Sequence, residues 1–446
     1  MSDVQRPRGE SIAESAAEAG APPPSPVEAP AGHDSFAPLR VAGFRWFVVS
    51  VLTMAMGAQI QGVVVAWQIY AITHNPLSLG MVGLAEAVPF IGLALWAGHV
   101  ADSLDRRRVA LIALVVLFLC ALALALVNRP GARGALQSQS LRLAIYGVIV
   151  ICGAARSFLL PARNALSAEV VPRALYSSSV AWRTGVWQIA AVTGPALGGL
   201  IYGWLGAGVA YSVAAVLMAA ALGAVFQIRV RDRAPRPAFM PLARSLREGV
   251  LFILERKLFL GAMTLDLFAV LFGGAVAILP VFAEEILHIG PQGLGFLRTA
   301  PAIGAVVMSA MLALRPAPRR AGPTFLWAVV AFGLCMIAFA VSRWFWLSLA
   351  LLAVSGAADM LSVWVRSTLI QTHVPPAMLG RVSSVNQIFI GSSNEIGAFE
   401  SGVAARLLGA EPSVMFGGFI TFLVVAVVAW WAPELRRLDR IDAPDV

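Results

Sequence analysis

From Phe44 to Trp431 the chain alternates between apolar runs of about twenty residues and short breaks carrying arginine, glycine or proline. A helix rises ~1.5 Å per residue, so about twenty apolar residues span a hydrocarbon layer of roughly 30 Å. Lipid offers no water to an open backbone, so runs of this length fold as helices whose hydrogen bonds close internally. The runs lie at 44–72, 79–98, 109–127, 143–162, 177–203, 207–228, 258–283, 292–314, 323–341, 345–370, 382–406 and 413–431. They predict an all-α integral membrane protein of twelve transmembrane helices. With 59% hydrophobic and 13% charged residues, the composition lies far from the ~25% charged of soluble domains.

The breaks orient the chain. With a cytoplasmic amino terminus, the inner connections carry 20 Lys and Arg and the outer ones only Arg129, Arg133, Arg142 and Arg343. Positive charge marks the cytoplasmic side, so both termini are predicted to be cytoplasmic. The net charge of +9 therefore reports juxtamembrane arginines. These are not clustered with aromatics on one face, and no nucleic-acid partner is expected. Residues 1–40, rich in Ala, Pro, Glu and Ser, read as a disordered cytoplasmic tail. A basic, proline-bearing linker at 229–256 separates six-helix halves at 41–228 and 257–432, and 433–446 form a second cytoplasmic tail. The halves look duplicated: Arg163-x-x-Leu166-x4-Val171-Pro172 recurs 203 residues later as Arg366-x-x-Leu369-x4-Val374-Pro375. Such parallel repeats build transporters that bind at the membrane midplane. Cys120, Cys152 and Cys335, each inside an apolar run, read as small buried hydrophobes.

One break carries a recognisable motif. Gly98-His99-Val100-Ala101-Asp102-Ser103-Leu104-Asp105-Arg106-Arg107-Arg108 resembles the loop between the second and third helices of the major facilitator superfamily. Ser103 and Asp105 depart from that pattern. Three more segments resemble the branch that contains enterobactin exporters and related efflux proteins: Pro161 to Leu166 with Val171-Pro172, Gly194-Pro195-Ala196-Leu197-Gly198-Gly199, and Val365 to Gln371 through Gly380-Arg381-Val382 to Ser401-Gly402. The resemblance implies the major facilitator fold. It also gives Gly98, Asp102, Arg106, Arg107 and Arg108 a gating role, with Asp102 meeting the start of the eleventh helix near Arg381. Gly194, Pro195, Gly198 and Gly199 resemble the fifth-helix motif of proton-coupled exporters, where small residues let backbones approach.

Ionisable residues inside spans are costly, ~2.5–3.5 kcal/mol or more at the centre, and face a cavity or a partner. Asp266, Glu395, Glu86, Asp359 and Arg298 are therefore the proton-coupling candidates. Asp266 near the midplane reads in two ways, as a coupling carboxylate or as half of an ion pair with Arg298 joining two helices. Glu400, Arg156 and Arg183 lie nearer the interfaces and read as structural. Gln59, Trp67, Trp187, Gln188, Trp364, Asn386 and Asn394 offer an aromatic, amide-bearing surface suited to a bulky amphipathic solute.

The five histidines lack metal-ligand spacing, and no phosphate-binding loop or nucleophile elbow is present, so neither cofactor nor metal is expected. Energy then comes from an ion gradient. The expected protein is a monomer in a bacterial plasma (inner) membrane, with the lipid bilayer, protons and a small-molecule substrate as its partners. By resemblance it exports a siderophore such as enterobactin, or a drug-like compound, by proton antiport. Proton-coupled uptake and a non-transporting receptor or scaffold are the alternatives.

Overall fold

The computed structural model describes residues 36–129, 131, 137–229, 242–314 and 320–439. The tail expected at 1–40 lies outside these up to residue 35, as do 230–241 of the linker and 440–446 of the closing tail. The side chain of Asp102 is also outside the description. Regular structure among the described residues is helical throughout.

After a single turn at Ala37–Arg40, α1 (Ala42–Thr73) runs 32 residues to His74. There the backbone turns left-handed, at φ 44°. Asn75 caps α2 (Pro76–Ser103), its side chain accepting from Leu77 N at 3.0 Å, with proline at the first helical position where no amide donor is needed. Asp105 caps α3 (Arg106–Val127) in the same way, accepting from Arg108 N at 3.0 Å. The two motif residues between α2 and α3, Leu104 and Asp105, thus make a turn whose geometry Asp105 fixes. The helix α4 (Ser138–Val170) returns the chain.

Next comes a 51-residue helical run, Tyr176–Phe226. Straight, it would measure about 77 Å, more than twice the hydrocarbon thickness. It breaks at Gly206, where φ 81° and ψ 174° suit only glycine, and so divides into α5 (176–205) and α6 (207–226). An unexpected linker helix, Leu242–Leu254, then sets Phe252 and Ile253 into the core that follows.

The second set begins with α7 (Lys257–Gly273), which continues through a tight turn at Ala275–Ile278 and the short helix Leu279–Val281 into a wide π-helical turn at Phe282–Ile286. It is completed by α8 (Gly290–Leu314), α9 (Ala321–Val341), α10 (Phe345–His373), α11 (Pro376–Leu408) and α12 (Ala410–Trp431). Ten of the described helices are long and apolar enough to cross a membrane by length and composition. Tyr176–Phe226 counts once among them, and Pro376–Leu408, with its Asn, Gln and Glu side chains, is not one of them. Outward-facing Trp204, Trp327 and Trp430, all more than two-thirds exposed, give the bundle an apolar exterior that only lipid covers without cost.

Three apolar clusters hold the bundle. One, built on Phe44, Phe47, Leu114, Leu166 and Ala221, belongs to α1–α6 at the end bearing Arg106–Arg108, which we call the basic face. A second, with Phe259, Leu265, Phe325, Leu369 and Leu435, belongs to α7–α12 at that same end. The third lies toward the far face and is shared, joining Ile60, Tyr70, Ile145 and Tyr211 to Leu279, Phe282, Leu294 and Phe339. The two helix sets therefore share a core at the far face and keep separate cores at the basic face.

A candidate substrate cavity between the two helix sets

The shared core is sealed by two backbone crossings. Where α5 meets α8, a Cβ on Gly199 would stand 2.5 Å from the carbonyl oxygen of Pro291 and 2.8 Å from Gly295 Cα, so only glycine permits the approach. Thr299 on α8 donates to Val192 O on α5 at 3.0 Å. Where α2 meets α11, Gly80 lies against Gly402 and Phe399. Gly194 and Gly198 of the same motif face α1 instead, against Gln59 and Ile60. Pro195 presents its carbonyl to Gly295. Beyond the crossings, Tyr70 on α1 donates to Glu285 in the π-helical turn, and His74 lies 3.8 Å from Glu284. These contacts fasten the far face.

Behind this closure lies a cavity of about 600 Å³, walled by helices of both sets. Seven expected residues meet at it: the ionisable Glu86, Glu395, Asp359 and Arg298 and, from the amide and aromatic group, Gln59, Trp187 and Asn394. Arg163, known from the sequence only as a repeat position, lines it too, as does Arg156. Glu86 on α2 is ion-paired with Arg156 on α4, and Glu395 on α11 lies in the field of the same guanidinium.

Other expectations are corrected. Asp266 is not in the cavity wall and does not pair with Arg298: it forms a buried ion pair with Arg366, whose i, i+7 neighbour Asp359 shares its helix face and does reach the cavity. Trp67 is 8% exposed and packed in the shared core, because α1 turns that face away from the cavity. Gln188, Trp364 and Asn386 also lie off the wall; Trp364 packs on the core of α7–α12, and Asn386 Oδ1 is buried without a hydrogen-bond partner. The neighbouring Gln68 is consumed structurally, donating to Asn128 at 2.5 Å and accepting from the Tyr211 hydroxyl at 2.9 Å.

The motif loop ties helices within the first set. Arg106 pairs with Glu169 on α4 at 2.6 Å, and Arg107 donates to the last carbonyls of α6, those of Val225 at 3.2 Å and Phe226, while lying over the Phe226 ring. A cation there meets the negative end of the α6 dipole. Gly98 lies half-buried in the last turns of α2. Arg381, expected near Asp102, engages Glu248 of the linker helix. Sequence reasoning missed both that helix and the pairing of Asp266 with Arg366. Arg156 and Asp359, like Arg163 and Arg366, stand 203 residues apart, an offset that relates the cavity-lining arginines of α4 to the charged face of α10. Among the described residues, no three His, Cys, Asp or Glu side chains gather as for a metal ion.

Comparison with known proteins places this geometry. A family model described as transmembrane secretion effector matches residues 33–445. The enterobactin exporters of Shigella flexneri and of Escherichia coli O157:H7 are each 25% identical over 409 residues, covering 92% of this chain and 94% of theirs. In solved structures, the chain superposes on a mutant of the nucleoside transporter NupG with a TM-score of 0.67 at 14% identity, covering 88% of this chain and 100% of that one. It superposes on a bacterial homologue of the iron transporter ferroportin in its inward-facing state with 0.66 at 15%, covering 89% and 99%. The protein is a multi-pass membrane transporter and not an enzyme, and the chain belongs to the transmembrane secretion effector family of major facilitator proteins.

Proposed function

We propose that this transporter exports a small amphipathic molecule from a bacterial cytoplasm across the inner membrane in exchange for protons. The observation that carries the reading is the cavity itself. It lies between helix sets that share a core on one face and not on the other, and the carboxylates Asp359 and Glu395 stand in its wall. A carboxylate facing such a cavity can be alternately protonated and ionised as access switches sides, which is what antiport needs.

In this reading α5 and α6 cross separately because Gly206 divides them, and the 33-residue α11 crosses despite its polar face, for twelve crossings in two halves. The basic face and both termini are cytoplasmic, the molecule acts as a monomer, and the conformation is open toward the cytoplasm. The enterobactin exporters among its relatives support export, with a siderophore such as enterobactin or a drug-like compound as cargo.

Substrate-dependent proton movement in liposomes containing the purified protein tests this. Solute leaving on the far side should be matched by protons moving the opposite way. Protons moving with the solute would make the protein a symporter for uptake, and solute movement without protons would end the coupling reading.

A further inference from the structure

We propose that the cavity recognises an oxyanion on its substrate through Arg298, with Arg163 as a second contact nearer the basic face. This rests on the transport reading for the use of the cavity, but not on the direction of transport. Of the six ionisable side chains facing the cavity, Glu86 and Arg156 neutralise each other, with Glu395 in the field of the same arginine. Asp359 lies in the field of the Asp266 and Arg366 pair. Arg298 and Arg163 are left over: among the described residues neither has an ion pair or a hydrogen bond, and Arg163 Nε is fully buried without a partner. Arg163 lies in the fields of Arg183 and Arg156, which repel it.

An unmatched carboxylate in such a place can take up a proton and lose its charge. A guanidinium cannot, so it demands an anion or solvent at all working pH values. Its planar fork fits the two oxygens of a carboxylate, or those of a sulfonate or phosphate, through paired hydrogen bonds. Arg298 is also well placed to report occupancy. It follows Leu297, buried in the shared core, and precedes Thr299, whose hydroxyl donates to α5, and its guanidinium reaches toward Gly62 on α1, 3.9 Å from where a Cβ would stand there. An anion held by Arg298 therefore touches both helix sets at the closed end of the cavity. The rest of the wall is largely apolar, with Phe90, Trp187 and Phe332, so the substrate class is a compact oxyanion on an apolar or aromatic body. A cationic drug would meet uncompensated positive charge.

Three probes of one shape separate the possibilities: 2-naphthoate, neutral 2-naphthamide and cationic 2-naphthylmethylamine, titrated by calorimetry into the purified full chain in detergent. Binding of naphthoate about tenfold or more tighter than the amide, with no binding of the amine, is expected. Arg298→Gln should remove that preference by weakening naphthoate about tenfold while leaving the amide unchanged. If this variant does not fold, Arg298→Lys keeps the charge, loses the fork and should weaken naphthoate several-fold. Equal binding of naphthoate and amide, no naphthoate binding, or unchanged naphthoate affinity in Arg298→Gln would each overturn the proposal. So would complete displacement by an equal concentration of chloride, which would make this a halide site. Since no gradient is present, a negative transport assay leaves these outcomes readable.

Discussion

Asp266 of α7 and Arg366 of α10 are an ion pair shut away from the cavity, with only 6% and 4% of their side-chain surfaces exposed. Both charges have been desolvated, so each depends on the other for compensation. Asp266→Asn should strand Arg366 and destabilise the protein by about 3–5 kcal/mol, read as a lower melting temperature in detergent. Replacing the pair together, Asp266→Leu with Arg366→Met, should restore most of that loss, because well-packed apolar residues often match a buried pair. Rescue of Asp266→Asn by Arg298→Gln instead would contradict this pairing.

A second cation has a different duty. Arg107 closes the end of α6 by donating to the carbonyls of Val225 and Phe226 in its last turn, the first of which also accepts from Ile228 N at 3.1 Å. Arg107→Gln should lower stability by about 1.5–3 kcal/mol, the range for hydrogen bonds to charged groups. Arg107→Lys should recover part of it, since one ammonium cannot reproduce the fork. Equal melting temperatures for all three proteins would show that the contact carries no stability.

How much of this was legible in the sequence differs by element. Helix boundaries were, because proline, glycine and aspartate act locally: Asp105 caps α3, and Gly206 falls in the gap read between spans ending at 203 and starting at 207. The linker helix was hidden, since Leu246, Val250 and Ile253 recur at helical spacing among arginines that read as a loop. Helix facing was harder. A spanning helix is apolar on its lipid side as well as its core side, so hydrophobic period does not say that Gln59 looks into the cavity and Trp67 away from it. Charge partners were legible least, because Asp266 and Arg366 are a hundred residues apart and several pairings satisfy the same cost.

The glycine crossing between α5 and α8 gives a prediction about conformation. Leucine at Gly199 cannot be accommodated by a side-chain shift, since the neighbours are the backbone of Pro291 and Gly295. Gly199→Leu should wedge the far face open and move the population toward far-side access. A cysteine placed at Ala58, an exposed residue in the cavity wall, reports this to membrane-impermeant thiol reagents once the native cysteines are replaced. Labelling from the basic side should fall and labelling from the far side should rise. Unchanged labelling from both sides would show that the crossing does not govern access.

The last prediction concerns which carboxylate carries the proton. Asp359 faces the cavity and lies next to the Asp266 and Arg366 pair, which leaves it a share of one guanidinium already engaged. It can therefore lose its charge at modest cost when solvent access changes, whereas Asp266 cannot without stranding Arg366. Asp359→Asn should abolish solute movement driven by a pH gradient and leave solute counterflow and the melting temperature near those of the parent. Charge movement supplies an independent measure. If the solute is a monoanion, its exit and the entry of one proton both move charge in the same sense, so an inside-negative potential should drive export, by about 2.3 kcal/mol per charge for every 100 mV. In liposomes with a potassium-diffusion potential and no pH difference, the parent should then export faster as the interior becomes more negative. Asp359→Asn, exchanging solute for solute, should show no such dependence. Retention of gradient-driven export by Asp359→Asn would move the coupling site elsewhere, and Glu395→Gln, tested in the same two assays, would then be the variant expected to lose it.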